Sequence, residues 1–272
     1  MIKPAKRWPL MLPALFLAGM AALAIVPFVF MFITSLTSKR YLSFNFDPSD
    51  FSIKNYPIIF NNLNIGRNML NSVIVTFFAC FFNCLIGSMA AYGFAKKRFR
   101  FREALFMLYL ATIMLPTQVK LIPVYTIIRY GGLMNTYPAL FLPLIDAFGV
   151  FLIRQFMFNV PDELLEAANI DGCGESRKFF TIVIPLIKPV LVSLTIFTFI
   201  NCWNDFLWPL VITTRPQMQT LTLALAALRG NYLTNYGLVM SGATIAFLPS
   251  FFLFLILQKQ FVEGITLSGI KG

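Results

Sequence analysis

Residues 10–33 read LMLPALFLAGMAALAIVPFVFMFI, 24 residues without a single charge. Crossing the hydrocarbon core of a bilayer takes about 20 predominantly apolar residues, so this stretch is long enough to span. Lys3, Lys6 and Arg7 precede it, and Trp8 sits where a helix would meet the interface. A secretory signal has a shorter apolar centre, about 7–15 residues, and a small-residue cleavage site. The stretch therefore reads as an uncleaved first spanning helix, about residues 10–36. Pro13 and Pro27 inside it are tolerable in lipid, where neighbouring groups can satisfy the freed carbonyls.

The rest of the chain has the same texture. Of 272 residues, 58% are hydrophobic and 12% charged; 31 are Phe, and the mean hydropathy is +0.76. A soluble domain carries about 25% charged residues. A water-soluble body could not hide this much apolar surface, which argues against a soluble enzyme and equally against disorder.

Working outward from the first span, residues 69–95 form a second. Its latter half, Gly87 to Gly93, is rich in small residues, which let helix backbones approach closely in membranes. The apolar block from Ala104 to Val160 is too long for one crossing and is punctuated by Gly131-Gly132 and Asn135-Thr136. It divides into spans at about 104–128 and 137–158. Residues 182–211 and 236–258 complete the set, and the apolar segment Leu221–Leu228 is too short to cross. The expected fold is all-α: one polytopic membrane domain of six transmembrane helices, with residues 161–185 as a polar loop.

Six crossings put both ends on one side. Lys3, Lys6, Arg7, Lys96, Lys97, Arg98, Arg100, Arg102, Arg154, Arg177, Lys178, Lys188, Lys259 and Lys271 then share that side, 14 basic residues in all. Only 7 (Lys39, Arg40, Lys54, Arg67, Arg129, Arg215 and Arg229) lie opposite, and Lys120 is unassigned. The positive-inside rule makes both termini cytoplasmic. The net charge of +11 thus reads as membrane topology, with lipid and not nucleic acid as the partner.

Histidine is absent, so no Ser-His-Asp relay, Cys-His pair or His-ligated metal can form. Cys80 and Cys84 are four apart on an apolar run, which suits packing better than a metal site.

Against this background residues 161–185 stand out. Five of the 11 acids, Asp162, Glu163, Glu166, Asp171 and Glu175, lie there. Pro161 suits a first helical position, and Asp162 and Glu163 complement the helix dipole. Leu164, Leu165, Ala167 and Ala168 are good helix formers, and Gly172 is a natural left-handed stop. A second helical stretch runs from about Ser176 into Pro185. This helix–Gly–helix unit can dock into a partner's groove through apolar anchors and a few charges. It can equally be an interfacial connector between spans four and five.

Its residues carry a resemblance. Glu166-Ala167-Ala168, three residues, Gly172, nine residues, then Ile182-Val183-Ile184-Pro185 resembles the EAA signature of ABC importer permeases, with Ile184 where the family usually has Leu. Trp203-Asn204-Asp205-Phe206-Leu207-Trp208-Pro209 resembles a segment late in the fifth span of the carbohydrate-uptake type, and Gly264 to Gly272 resembles their tail. The resemblance covers most of the chain after residue 69 and is closest to the six-helix MalG-like or AraQ-like subunits.

It implies a type I ABC importer permease fold and several partners. These are a second homologous permease, a pair of cytoplasmic ATPase subunits that bind ATP and Mg, and an extracytoplasmic solute-binding protein. It further implies that Glu166, Ala167, Ala168, Asp171, Gly172 and Pro185 form the coupling loop. Glu166 would pair with a basic ATPase residue, Ala167 and Ala168 would permit close approach, and Gly172 would make the turn. No Gly-x-x-x-x-Gly-Lys-[Ser/Thr] occurs, so no ATP-binding loop is expected on this chain; it is expected to be non-catalytic and to bind no cofactor itself.

For the substrate pathway the candidates are Asp146, Asn201 and Asn204. Asp146 interrupts an apolar run, and a charge there should face protein or water. It fits a hydroxyl-binding or gating role and an interhelical contact equally well. Asn201 and Asn204 suit sugar hydroxyls but also suit helix–helix bonding. Lys120 and Gln118 could line an outer vestibule. Cargo related to sugars, such as a glycerol phosphate or another polyol, is the runner-up. A stand-alone secondary carrier is less consistent, because ionisable residues at mid-membrane are scarce.

Overall fold

The computed structural model describes residues 8–38, 41, 45, 47–62, 64–231 and 235–269. Lys3, Lys6, Arg7, Lys39, Arg40, Ile270, Lys271 and Gly272, used above for topology and the tail motif, lie outside them. Among the described residues there is no β-strand, only an isolated bridge between Thr37 and Phe51. The helices are α1 (Trp8–Ser35), α2 (Asn55–Asn62), α3 (Ile65–Lys96), α4 (Arg102–Ala111), α5 (Thr117–Tyr130), α6 (Tyr137–Phe141) and α7 (Ala147–Met157). They continue with α8 (Asp162–Ile170), α9 (Glu175–Lys178), α10 (Ile184–Leu186), α11 (Lys188–Asn204), α12 (Leu207–Ile212), α13 (Leu221–Asn231) and α14 (Tyr236–Gly269).

Three helices are long and apolar enough to cross a membrane, and three bent pairs qualify jointly, giving up to six spans. The pairs refine the expected boundaries. The stretch 104–128 is α4 and α5, set at 105° across Leu115–Pro116, and 137–158 is α6 and α7, set at 47°. Residue 182 lies in a π-helical turn, Phe179–Val183, and the straight helix begins only at Lys188 after a 77° bend. Proline accounts for the first break: it disfavours helical backbone at the residue before it, and Leu115 is extended.

The chain divides into two compact units, Met1–Asn64 with Ala227–Phe247, and Ile65–Ala226 with Leu248–Gly272. In the first, Asn55 Nδ2 donates to the carbonyls of Ser35 (3.1 Å) and Thr37 (2.8 Å), and Ser241 Oγ donates to Ser35 O at 2.9 Å. These bonds satisfy carbonyls that the end of α1 leaves open. Leu15, Phe16 and Leu23 on α1 are about two-thirds exposed, as lipid-facing side chains would be.

In the second unit α3 packs against α7 and α11. Gly87, Ser88 and Ala91 of its small-residue stretch are buried. Gly149 of α7 makes the tightest approach: a Cβ there would lie 2.8 Å from Asn83 Oδ1 and 3.2 Å from Leu194 Cδ2. One apolar core joins Ala91, Tyr92, Phe106, Ile153, Leu165, Val183 and Leu194. A second joins Val75, Ala139, Phe141 and Trp208.

Candidate functional site

Two places in the second unit gather functional side chains. The first is the bracket of residues 161–185. Asp162 and Glu163 occupy the first turn of α8. At its other end Gly172 takes φ +73°, the Cys173 N–H donates to Ala168 O at 2.9 Å, and the Gly172 N–H donates to Asn169 O at 3.0 Å. That pair of bonds is the Schellman motif, which needs a left-handed residue at Gly172's position. Leu165 and Ala168 face inward, while Glu163, Glu166, Ala167 and Ile170 face out, Ile170 being 87% exposed. The two alanines therefore part ways. Ala167 lies on the outer surface, and Ala168 owes its small size to packing within this chain. Among the described residues Glu166 has no hydrogen-bond or ion-pair partner. Asp171 and Pro185 are also exposed.

Both ends of the bracket are tied to α3. Lys96 Nζ reaches Val160 O at 2.6 Å and Asp162 Oδ1 at 2.7 Å. Lys178, 3% exposed, donates to Asn169 Oδ1 and Glu175 Oε1. Lys97 Nζ lies 2.5 Å from Glu175 Oε2, to which Tyr92 Oη donates at 3.0 Å. Lys178 first, then Lys97, with help from Tyr92, holds the Glu175 carboxyl down to about 2. Nearby, buried Arg154 donates from Nη2 to both Glu103 oxygens at 2.8 and 2.9 Å, and its guanidinium stacks 3.9 Å from the Phe106 ring centroid. Charge counting alone treats Lys96, Lys97, Lys178 and Arg154 as topology markers. The cluster of five acids at 162–175 is the sequence signal that Lys96, Lys97 and Lys178 have partners.

The second place is a cleft of about 470 Å³ with several polar groups in a largely apolar wall, lined by residues from α3, α5, α7, α11 and α12. Ligand pockets run to roughly 300–1,000 Å³. Three helix breaks meet here. Thr117 and Lys120 follow the α4–α5 break, Pro143, Leu144 and Asp146 form the α6–α7 break, and Asp205 and Leu207 flank the α11–α12 break. Interrupted backbone at membrane depth is tolerated where it lines a cavity.

Asp146 and Asn201 both line the cleft and are exposed to it. Asp146 is also the N-cap of α7, its Oδ1 accepting from Gly149 N at 3.1 Å, a role that neither sequence reading named. Asn204 is not part of the wall: its Nδ2 donates to Ile200 O, 2.9 Å away, one turn back on its own helix. Lys120 is in the wall and Gln118 is not. Asp205, Asn83 and Thr198 join them; Asn83 Nδ2 donates to Thr198 Oγ1 at 2.9 Å. Asn83 and Thr198 sit in apolar runs, where single polar residues carry little signal.

The chain belongs to the family of binding-protein-dependent transport system inner membrane components, whose model matches residues 83–266. That range contains both sites. The arabinooligosaccharides transport system permease AraQ of Halalkalibacterium halodurans is 34% identical over 262 residues, covering 94% of each chain. The melibiose/raffinose/stachyose import permease MelC of Bacillus subtilis is 34% identical over 266 residues, 94% of this chain and 95% of that one. The sn-glycerol-3-phosphate permease UgpE of Yersinia pestis is 36% identical over 208 residues, 75% of this chain and 74% of its own. A bacterial ABC transporter for the acidic polysaccharide alginate shares the fold, with a TM-score of 0.79 at 21% identity over 96% of this chain and 99% of that one.

Proposed function

We propose that the chain is a permease subunit of an ATP-binding-cassette importer that moves a sugar or oligosaccharide across the cytoplasmic membrane. The observation that carries this reading is the bracket. Its helix is fixed at both ends to the chain's own body, yet presents an unpaired Glu166 beside Ala167 and Ile170. Ion pairs at a docking surface fix register more than they add affinity, which is what a mechanical coupling needs.

In this reading α8 seats on an ATPase subunit, with Glu166 against a basic residue of that subunit. ATP and Mg bind to the ATPase pair and not to this chain, which itself catalyses nothing. Closure of the ATPases pushes the bracket, and its ties to α3 carry the motion into the helices around the cleft. A second homologous permease completes the pathway, and a solute-binding protein outside the membrane delivers the cargo. The chain crosses six times, at about 10–36, 69–95, 104–128, 137–158, 182–211 and 236–258, with both termini cytoplasmic. Asp146 and Asn201 face the solute. Similarity to AraQ and MelC supports a sugar. Similarity to UgpE favours a glycerol phosphate or another polyol as the second reading.

Glu166→Lys tests the docking role. Expected is insertion in the membrane at normal levels, with solute uptake uncoupled from ATP hydrolysis in the reconstituted transporter. Normal uptake by that variant refutes the role.

A further inference from the structure

Three charged side chains line the cleft: Asp146, Asp205 and Lys120. Two carboxylates face one ammonium, so the wall is net negative. Neither acid is consumed by an ion pair. Asp146 Oδ1 accepts from Gly149 N as the N-cap of α7, and Asp205 Oδ1, in the break between α11 and α12, accepts from Trp208 N at 3.3 Å. The remaining polar groups, among them Thr117, Asn201, Thr198 and Asn83, are uncharged donors and acceptors of the kind that suits hydroxyls. Phe148 and Phe197 supply apolar wall, their rings edge to face at 5.7 Å.

We infer that this cleft admits a neutral polyhydroxyl solute and rejects anions, so that phosphorylated polyols and uronates are excluded at Asp146 and Asp205. This rests on the cleft being the solute pathway proposed above. Clefts lined by one sign of charge raise the local concentration of the opposite sign and deplete their own. A phosphate or a chain of carboxylates would need the balance reversed, and Lys120 alone, with Asp146 and Asp205 beside it, does not reverse it. The resident acids would instead accept from sugar hydroxyls, while Lys120 and the Asn201 amide would donate to them.

The test reads the cleft directly in the assembled transporter. Leu207, in the wall and 39% exposed, is replaced by Cys in a chain whose Cys80, Cys84, Cys173 and Cys202 are changed to Ala. Its rates of modification by a cationic and by an anionic methanethiosulfonate are measured and normalised to a free thiol. Expected is a cation-to-anion preference of about tenfold, falling toward parity in Asp146→Asn/Asp205→Asn. Asn keeps an accepting oxygen, so both backbone hydrogen bonds are retained while the charge is lost. A ratio at or below that of the free thiol overturns the inference.

Protection of the same Cys separates this inference from the reading beneath it. Arabinotriose, raffinose and maltotriose are tried as neutral probes, and sn-glycerol 3-phosphate and trigalacturonate as anionic ones. Slowing by at least one neutral probe and by neither anion supports the inference. Equal slowing by the anions overturns selectivity but keeps the cleft as a solute site. Slowing by none of them removes the cleft from the pathway, and the inference falls with it.

Discussion

Lys178 and Asn169 are joined across the Gly172 turn, the buried ammonium donating to the side-chain carbonyl of the last full turn of α8. Lys178 also holds Glu175, which holds Lys97 and Tyr92, so α8 is clamped to α3 through an unbroken polar chain. A helix that must transmit a push needs such a clamp, because an untethered interfacial helix would pivot.

Lys178→Met, which keeps the bulk of the stem and removes the charge, should loosen the bracket. Asn169 and Glu175 are exposed, so water can replace the lost donor and the net loss is about 1 kcal/mol. The measurement is amide hydrogen exchange over residues 162–172, expected to quicken while the exchange of α3 stays unchanged.

At Gly172 nothing lies within 4 Å of an added Cβ, so the penalty for a side chain is one of backbone conformation alone. Gly172→Ala should destabilise the end of α8 by about 1 kcal/mol, and Gly172→Asn by less, since Asn tolerates left-handed backbone. Thermal melting of the purified complex ranks the two, and an equal loss for both would contradict the conformational account.

The capping role of Asp146 separates charge from hydrogen bonding. Asp146→Asn should melt close to the parent, whereas Asp146→Ala should lose about 1 kcal/mol through the missing N-cap. If the two variants are equally destabilised, the charge itself and not the cap is what the fold requires.

Glu175 gives the bracket an acid sensitivity. Its folded value, about 2, lies below the ordinary carboxylate range, so its contribution is complete at neutral pH and is lost as pH falls from about 4.5 toward 2. Exchange of the bracket amides should therefore rise on acidification across that window, beyond the intrinsic pH dependence of exchange. Glu175→Gln should show the looser bracket already at pH 7 and lose most of the extra dependence.

The Arg154–Glu103 pair should respond unequally to losing either partner. Arg154 is buried and Glu103 largely exposed. Glu103→Ala strands a buried guanidinium, whereas Arg154→Met frees a carboxylate that water can solvate. The first should lower the melting temperature more than the second.

The membrane class, the number of apolar stretches and the Gly172-capped bracket are all legible in the sequence, because each depends on local properties. Spanning length is set by composition, capping by one residue's φ preference, and the first-turn acids by the nearest end of the helix dipole. Much else depends on groups distant in the chain. Asp146 and Asn201 share one cleft, while Asn204, three residues along from Asn201, turns to its own helix; the angle of each side chain around α11 decides this. Ala168 packs inward and Ala167 outward for the same reason. Asn83, Thr198 and Asp205 enter the cleft, and Lys96, Lys97 and Arg154 find acids 51 to 78 residues away, only once the helices pack. Partner choice among buried charges is a matter of three-dimensional distance, which residue order along the chain does not carry.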